Sequence, residues 1–305
     1  MAGLLRVRIN DSVRNMIARR RNKAPPAIIA LLFACNAMAD GGGFDGYSYV
    51  AIGSERLNYQ EKPSTVPVHT DTTVGNVALR TGGLFVINPT LDFSLDTGTT
   101  LLPKTATETW DVNSSSAGAA FRATLPQPGS PVQHDDFRLA ASSMLVLLHY
   151  KHTERFRTVY GVNYTLDSFK RYNWSTVQTG AVVLSQGAVE EDTSQLSATL
   201  GLAWESAALA RQSRRWQLRA LLHLPVWRQT TNTNSPGITF TDTSGVAADI
   251  QGSYNYRFYH GMEAGLYASY GLRNAGKDIK GNVELPKNTL RSFFMGLQLS
   301  WNLGG

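Results

Sequence analysis

The chain lacks several features that would identify common classes of protein. Cys35 is its single cysteine in 305 residues, which excludes a disulfide framework and a cysteine-based metal site. No apolar run approaches the ~20 residues that a membrane-spanning helix needs, and the mean hydropathy is only -0.20. These absences exclude a polytopic helical membrane protein and a small disulfide-stabilised one.

The chain also has no net charge beyond its first part. Residues 1–39 hold seven Lys/Arg and one acidic residue, and the whole chain holds 29 Lys/Arg and 23 Asp/Glu. Residues 40–305 therefore carry 22 of each sign. Because the basicity is confined to the beginning of the chain, it gives no support for nucleic-acid binding, and we expect no nucleic-acid partner.

The beginning of the chain, up to Ala39, has the parts of a secretory signal peptide. A basic stretch, residues 6–23, precedes a short apolar segment at 27–34. A motif of small residues ending at Ala39 then predicts cleavage before Asp40. We therefore expect export of the chain and removal of this segment.

Cys35 leaves a second route of processing open. The residues Leu32, Phe33, Ala34 and Cys35 partly resemble the cleavage box of bacterial lipoproteins, which would make the cysteine a lipidated N-terminus. Phe33 fits that box poorly, so cleavage after Ala39 is favoured. The mature chain would then contain no cysteine.

An alternation of apolar and polar residues recurs along the rest of the chain. Residues 196–205 read LSATLGLAWE, and residues 262–271 read MEAGLYASYG. A period of two places alternate side chains on opposite faces of a β-strand. Many such strands in an exported chain are typical of a transmembrane β-barrel, which is apolar outside and polar inside.

Ten segments show this pattern. They are residues 46–59, 74–87, 91–96, 137–150, 156–165, 196–204, 216–226, 246–258, 262–272 and 293–301. Gly53 and Ser54 interrupt the alternation in the first segment, and Gly82 and Gly83 are expected to bend the second.

The connectors between these segments are alternately short and long. The long ones are residues 61–73, 101–136, 175–193, 230–244 and 274–288. Bacterial barrels have short periplasmic turns and longer extracellular loops. With both termini in the periplasm the number of strands must be even, and we predict ten rather than eight or twelve.

Aromatic residues cluster near the ends of the predicted strands, as in the interfacial girdles of membrane barrels. Those assigned to the girdles are Tyr47, Tyr49, Tyr59, Tyr150, Tyr164, Trp204, Trp227, Tyr254, Tyr256, Phe258, Tyr259, Tyr267 and Tyr270. A soluble β-sandwich is the alternative fold, but it has no need of aromatic residues at the strand ends.

The end of the chain resembles the assembly signal of bacterial outer-membrane β-barrel proteins. The alternating residues that carry the resemblance are Phe293, Met295, Leu297, Leu299 and Trp301. The resemblance is to this class of Gram-negative proteins and to no specific family. It implies recognition by the barrel assembly machinery, and a surrounding of outer-membrane lipid and lipopolysaccharide. Four residues follow Trp301, which departs from the pattern.

Charged residues of both signs fall on the predicted inner face. They are Arg157, Arg219, His223, Asp249, Arg257, Glu263 and Arg273, together with Asp92, Asp96 and Asp167. A ten-stranded barrel is little wider than the eight-stranded kind, whose interior is nearly filled by side chains. A lumen plugged by ion pairs is thus favoured, and a narrow polar conduit remains the alternative. Arg257 and Glu263 lie at equal distances from the turn at 260–261, so we expect them to face each other.

The sequence offers little for an enzyme. Ten strands is the size of the omptin proteases, but the acidic pair and the Asp–His pair at their extracellular rim have no match here. The run His134, Asp135, Asp136 is expected in a solvated loop. His149 lies near a predicted periplasmic turn, the wrong end for a lipid-cleaving Ser–His pair, and His223 has no serine at matching spacing.

We therefore predict an all-β, antiparallel transmembrane barrel formed by residues 40–305 in the cell outer membrane. Acidic residues and histidines are too scattered for a metal site, and we expect no cofactor and no catalytic residue. The favoured role is a structural or surface-interaction barrel, or a narrow passage for small solutes. The alternative is an outer-membrane enzyme acting on lipid or peptide.

Overall fold

The computed structural model describes residues 45–113, 128–177, 187–206 and 213–303. The predicted signal peptide, with Cys35 and the cleavage position, lies outside the described residues. Within those four ranges, no helix is long and apolar enough to cross a membrane.

Strands make up most of the described chain. They are β1 (Gly46–Lys62), β2 (Val68–Asn88), β3 (Leu91–Leu102), β4 (Thr105–Val112), β5 (Pro131–Lys151), β6 (Phe156–Thr176), β7 (Val189–Glu205), β8 (Arg214–Asn232), β9 (Thr239–Phe240), β10 (Gly245–Tyr259), β11 (Met262–Ala275), β12 (Asp278–Lys280), β13 (Val283–Leu285) and β14 (Lys287–Asn302).

Ten of these strands form a closed antiparallel ring. The order around the ring is β1, β2, β3, β5, β6, β7, β8, β10, β11 and β14, and β14 pairs back with β1. Strand β4 continues the path of β3 and pairs with both β2 and β5. Closure satisfies the backbone donors and acceptors of every ring strand, as a membrane requires. The predicted ten-stranded barrel is confirmed.

An apolar band surrounds one end of the barrel. Each ring strand has a stretch of about ten residues next to the short connectors, the length that crosses a membrane. In this stretch, side chains that point into the barrel alternate with apolar side chains that are exposed on its outside. Leu200 on β7 and Leu297 on β14 are 53% and 70% exposed. We call this the turn end, because the short connectors, such as residues 260–261, lie there. We call the opposite end the mouth.

The strands continue past the apolar band toward the mouth. β5 and β6 are each 21 residues long, about twice the length that crosses a membrane. Outward side chains beyond the band are polar, as Ser168 and Lys170 are on β6. The upper walls are therefore polar outside, which is why the sequence pattern fades there while the strand pairing does not.

Two of the predicted long connectors are shorter than expected for this reason. The connector expected at 61–73 shrinks to residues 63–67, and much of the one expected at 101–136 is occupied by β4 and the beginning of β5. The connector expected at 274–288 remains between β11 and β14 and contains the separate β12–β13 hairpin. The run His134, Asp135, Asp136 lies in β5 rather than in a loop. Asp135 is buried in the barrel, whereas its two neighbours point outward.

The glycines of the first two strands do not interrupt them. β1 and β2 run through Gly53 and Gly82 without a break. A Cβ on Gly53 would collide with the backbone of Met295, and one on Gly82 with the side chain of Asp96. Both glycines permit close approach to the neighbouring strands of the wall, and the strand pairing continues through both.

Four aromatic residues assigned to the membrane girdles lie inside the barrel instead. Tyr47, Tyr49, Tyr59 and Tyr267 are all buried. Their positions have inward parity, and their hydroxyls find hydrogen-bond partners among lumen side chains. A buried tyrosine needs such a partner. The girdle residues that do point outward and are exposed include Tyr150, Trp204, Trp227, Tyr256, Phe258, Tyr259 and Tyr270.

Candidate functional site

The structure brings the charged residues of the inner face together as ion pairs across and around the lumen. Arg157, Arg219, His223, Arg257 and Arg273 each lie within ion-pair distance of a lumen carboxylate. Their partners are Asp92 and Glu205 for Arg157, Asp96 for Arg219, Asp249 for His223, Glu263 for Arg257, and Asp167 for Arg273. Such pairing stabilises charges inside the barrel, because a buried charge without a partner is costly.

A chain of alternating charges lines the turn end of the lumen. We call it the turn-end network, and its members in order are Lys151, Asp92, Arg157, Glu205, Arg215, Glu263 and Arg257. Successive members are separated by 2.5 to 3.7 Å. Arg215 binds two carboxylates of the network, those of Glu205 and Glu263. Its guanidinium also lies 4.1 Å from the ring centroid of Tyr47 on the opposite wall. The network therefore crosses the lumen.

The pair expected at the turn of residues 260–261 is present but is not the main one. Arg257 and Glu263 are Cα partners across the β10–β11 hairpin, and their side chains approach to 3.7 Å. Arg215 is closer, donating to Glu263 Oε2 from Nε at 3.0 Å and from Nη2 at 2.7 Å. The main counter-ion of Glu263 is therefore Arg215 on β8.

A second set of contacts crosses the lumen above the turn-end network. Arg219 on β8 lies 2.8 Å from Asp96 on β3, and the Tyr49 hydroxyl donates to the same carboxylate at 2.8 Å. The rings of Tyr49 and Tyr267 stack with centroids 6.0 Å apart. Arg219 also donates to Gln251. Groups from five ring strands therefore meet at this level.

Near the mouth, one arginine is held by carboxylates and aromatic rings. Arg171 on β6 lies 2.5 Å from Glu108 and 2.8 Å from Glu61. Its guanidinium lies 4.6 to 5.7 Å from the ring centroids of Tyr59, Trp110, Phe137 and Phe169. Burial opposes the charge, but the two carboxylates raise the pKa of Arg171 well above its usual value. This cluster joins β1, β4 and β6 across the mouth.

Asp135 lies beside this cluster in an acidic environment. It is the Cα partner of Glu108 across the β4–β5 pair, and Trp110 Nε1 donates to its Oδ2 at 3.0 Å. Burial raises the pKa of Asp135 well above its usual value, and the neighbouring charge of Glu108 raises it further. The protonated form of Asp135 is thus favoured near neutral pH.

Several members of these networks escaped the sequence analysis. Glu61, Glu108 and Arg171 lie in strand extensions that the pattern assigns to loops or leaves out, and Glu205 and Arg215 lie at strand ends. The parity of each strand is the signal that could have found them. Asp167, Phe169 and Arg171, for example, continue one inward row on β6.

The lumen holds cavities of unequal size. Among four cavities lined by the described residues, the mouth cavity has the largest volume, about 260 Å³. A small chamber of about 20 Å³ lies behind it, and Glu191 lines both spaces. Cavities of about 130 and 70 Å³ lie nearer the turn end and share Tyr49, Asp96, Gln251 and Tyr267. The small chamber shares no lining residue with either of these two.

Glu191 is the least compensated acid of the mouth cavity. It is 6% exposed, and Asn232 Nδ2 donates to its Oε2 at 3.0 Å. No lysine or arginine nitrogen of the described chain lies within 4.0 Å of its carboxylate. Burial and the nearby charge of Glu61 raise the pKa of Glu191 to about 7.

Two histidines contact hydroxyl groups inside the barrel. His149 Nε2 lies 2.8 Å from Ser94 Oγ, but its Nδ1 has no partner, so no carboxylate orients the ring. His223 lies between Thr199 and Asp249, at 2.8 and 2.6 Å. Thr199 is buried and lines none of the four cavities above. Neither arrangement offers the oriented base and accessible nucleophile of hydrolytic catalysis.

The described residues contain no candidate metal site. No group of three or more His, Cys, Asp or Glu side chains in those ranges has the arrangement that could hold a metal ion. The acids of the lumen are instead paired with arginines or spread along the walls.

No protein-family model and no curated protein sequence matches the chain. Among solved structures, the outer-membrane protease OmpT from Escherichia coli is similar, with a TM-score of 0.61 and 10% identity over 87% of this chain and 99% of OmpT. The translocator domain of the autotransporter NalP from Neisseria meningitidis has a TM-score of 0.37 and 9% identity, covering 95% and 96%. OprG from Pseudomonas aeruginosa has a TM-score of 0.31 and 8% identity, covering 85% and 98%.

The similarity to OmpT concerns the fold and not the chemistry. At so low an identity, the similarity to OmpT does not transfer a protease activity. The ring of ten strands, the apolar band and the similarity to OmpT agree with one another. The chain has the fold of a bacterial outer-membrane β-barrel.

Proposed function

We propose that the protein is a non-conducting outer-membrane barrel that binds a ligand at the cell surface. The predicted signal peptide, the apolar band and the fold support the location. The turn end then faces the periplasm and the mouth faces outward, as in other bacterial barrels. The mouth cavity, lined by acidic and aromatic side chains, is the surface available to a ligand.

The observation that carries the proposal is the set of contacts that cross the lumen at successive levels. Arg215 meets Tyr47, Arg219 meets Asp96, Arg273 meets Asp167, and Arg171 meets Glu61. Each contact joins strands that are not neighbours in the ring. Breaking a buried pair costs about 3–5 kcal/mol, so a solute that displaced several pairs would meet a high barrier.

Liposome swelling tests the proposal. We expect liposomes that contain the purified barrel to swell in an isotonic solution of a small sugar no faster than protein-free liposomes. An open porin at the same protein-to-lipid ratio is the positive control. Swelling close to the rate of that porin would refute a closed lumen and favour the narrow passage for small solutes.

A further inference from the structure

The mouth cavity has the walls of a binding site for a small molecule. Its volume of about 260 Å³ is bounded by β1, β4, β6, β7 and the segments that connect the strands at the mouth. Three aromatic side chains line it, namely Trp110, Trp174 and Phe240. Ligand sites are typically concave, apolar over most of their surface, and equipped with a few polar groups that fix the ligand.

The charges on the cavity wall are unbalanced. Three carboxylates line it, those of Glu61, Glu191 and Glu284, against one cation, Arg171. That cation is already bound by Glu61 and by Glu108, at 2.8 and 2.5 Å. The cavity therefore has more negative than positive charge on its walls.

Two of the three carboxylates are satisfied within the protein. Glu61 has Arg171 as its counter-ion, and Glu284 accepts hydrogen bonds from Ser64 N at 2.8 Å, Ser64 Oγ at 2.7 Å and Thr65 N at 3.1 Å. These bonds hold the pKa of Glu284 below its usual value, although its partial burial acts in the opposite direction. Among the described residues, the Glu191 carboxylate has only the side-chain amide of Asn232 as a partner.

Arg228, whose charge acts on Glu191, does not pair with it. Arg228 lines the small chamber on the other side of Glu191, is 4% exposed, and its Nε has no hydrogen-bond partner. Its nitrogens lie beyond 4.0 Å from the Glu191 carboxylate. A buried carboxylate that faces an aromatic cavity without a cation in contact is poised for a cation from outside.

We propose that the mouth cavity binds a small organic cation, an ammonium or guanidinium group on a short apolar stem, with the charge against Glu191. The stem lies among Trp110, Trp174 and Phe240, whose rings also attract a cation through their faces. The inference rests on the proposed function, because the ligand is taken from the external solution at the mouth.

The binding should depend on pH through Glu191. The ionisable groups that surround this carboxylate are Tyr59 and Glu61 on β1, Arg171 on β6, Arg228 on β8, Glu284 on β13, and Asp167 and Arg273 across the chamber. Burial, with the charge of Glu61, keeps Glu191 partly protonated at neutral pH. An aliphatic amine stays charged there, so its affinity should rise about tenfold between pH 6 and pH 8 as the carboxylate ionises.

Isothermal titration calorimetry on the full barrel in detergent tests the inference, with phenethylamine as the probe and 2-phenylethanol as its neutral match. We expect the amine to bind at pH 8 at least tenfold more tightly than the alcohol. Glu191→Gln should remove this preference and the pH dependence together. Glu190→Gln is the matched control, because Glu190 points outward from the same strand and pairs with Lys170 at 2.7 Å. It should bind as the wild type does.

Arg228→Gln provides a second variant that does not remove the carboxylate. It deletes a cation whose charge acts on the same carboxylate, so at a pH where Glu191 is ionised the amine should bind as tightly as in the wild type or more so. Heat-modifiable migration on gels verifies that each variant is folded. Equal affinity for the amine and the alcohol, or an amine preference that survives Glu191→Gln, would overturn the inference.

The outcomes also separate this inference from the proposed function. A barrel that binds the amine through Glu191 but conducts would retain the cation site and lose the closed lumen. A closed barrel that binds neither probe, or that binds both alike, would keep the closed lumen and eliminate the cation site.

Discussion

Replacing Arg215 with methionine should be the most damaging single change in the turn-end network. Arg215 is 2% exposed and donates to Glu263 at 2.7 and 3.0 Å and to Glu205 at 3.4 Å. Its guanidinium also covers the ring of Tyr47. Methionine keeps much of the length of the side chain and removes its charge and all its hydrogen bonds.

The size of the effect follows from what each carboxylate retains. Glu205 keeps Arg157 at 2.8 Å and the amide of Gln217 at 2.9 Å, so it stays compensated. Glu263 keeps only Arg257 at 3.7 Å, whose side chain is 25% exposed. Losing one partner of a buried pair costs about 3–5 kcal/mol, and we expect Arg215→Met to fall at the lower end, about 3 kcal/mol.

Urea unfolding of the barrel in lipid vesicles, followed by tryptophan fluorescence and by gel migration, measures this cost. Combining Arg215→Met with Glu263→Gln should cost less than the sum of the single changes, with a coupling of about 2 kcal/mol. Arg257→Met is the control on the same carboxylate. Its pair with Glu263 is long and partly solvated, so its coupling to Glu263 should be about 1 kcal/mol or less.

A cost below about 1 kcal/mol for Arg215→Met, together with additive effects in the double variant, would refute the reasoning. Water in the lumen would then stabilise the buried charges as well as their ion-pair partners do. A larger cost for Arg257→Met than for Arg215→Met would show that the hairpin pair, not the cross-lumen contact, compensates Glu263.

Three further predictions concern location, orientation of side chains and pH. Cell fractionation should place the protein in the outer membrane with heat-modifiable migration, and recovery as a soluble periplasmic protein would contradict the fold's membrane role. Leu200→Arg puts a cation in the apolar band and should destabilise the barrel by about 2–4 kcal/mol, whereas Ser168→Arg, outward but beyond the band, should change the urea midpoint little; the reverse order would place the band elsewhere. The raised pKa values of Asp135 and Glu191 mean that both carboxyls bind protons more tightly in the folded state. The contribution of the two carboxyls to the stability of the folded state is complete below pH ~4 and is lost as the pH rises through 7 and above. The urea midpoint should therefore fall from pH 6 to pH 9, and Asp135→Asn should make that fall smaller.

The strand pattern of the membrane-facing wall could be predicted from the sequence because lipid imposes it. Every second residue of that wall must be apolar, and each of the ten alternating segments falls within a ring strand. Beyond the band the outward side chains meet water, so the constraint disappears. β1 continues from Ser54 to Lys62 with polar outward residues, and its buried apolar side chains, Leu57 and Tyr59, lie on the inner face.

The sequence predicts that charged residues of both signs line the interior, but it does not predict which of them form ion pairs. Inward parity identified charged residues on β3, β6, β8, β10 and β11, because a one-residue slip would place them in lipid. It did not identify Glu55 on β1 and Arg80 on β2, which form an ion pair at 2.8 Å. Which arginine meets which acid depends on the curvature and stagger of the closed ring. Arg219 and Asp96 are far apart in the chain and meet only because β8 and β3 face each other across the lumen.

Electrical recording from single barrels in planar lipid bilayers tests the central claim, that side chains close the lumen, most directly. In concentrated potassium chloride, the wild-type protein should insert without producing stable conductance steps, while an open porin in the same bilayers produces them. Insertion is verified independently by recovering folded, heat-modifiable protein from the bilayer lipid. Reproducible open-channel steps from the wild type would show a continuous aqueous path and contradict the account.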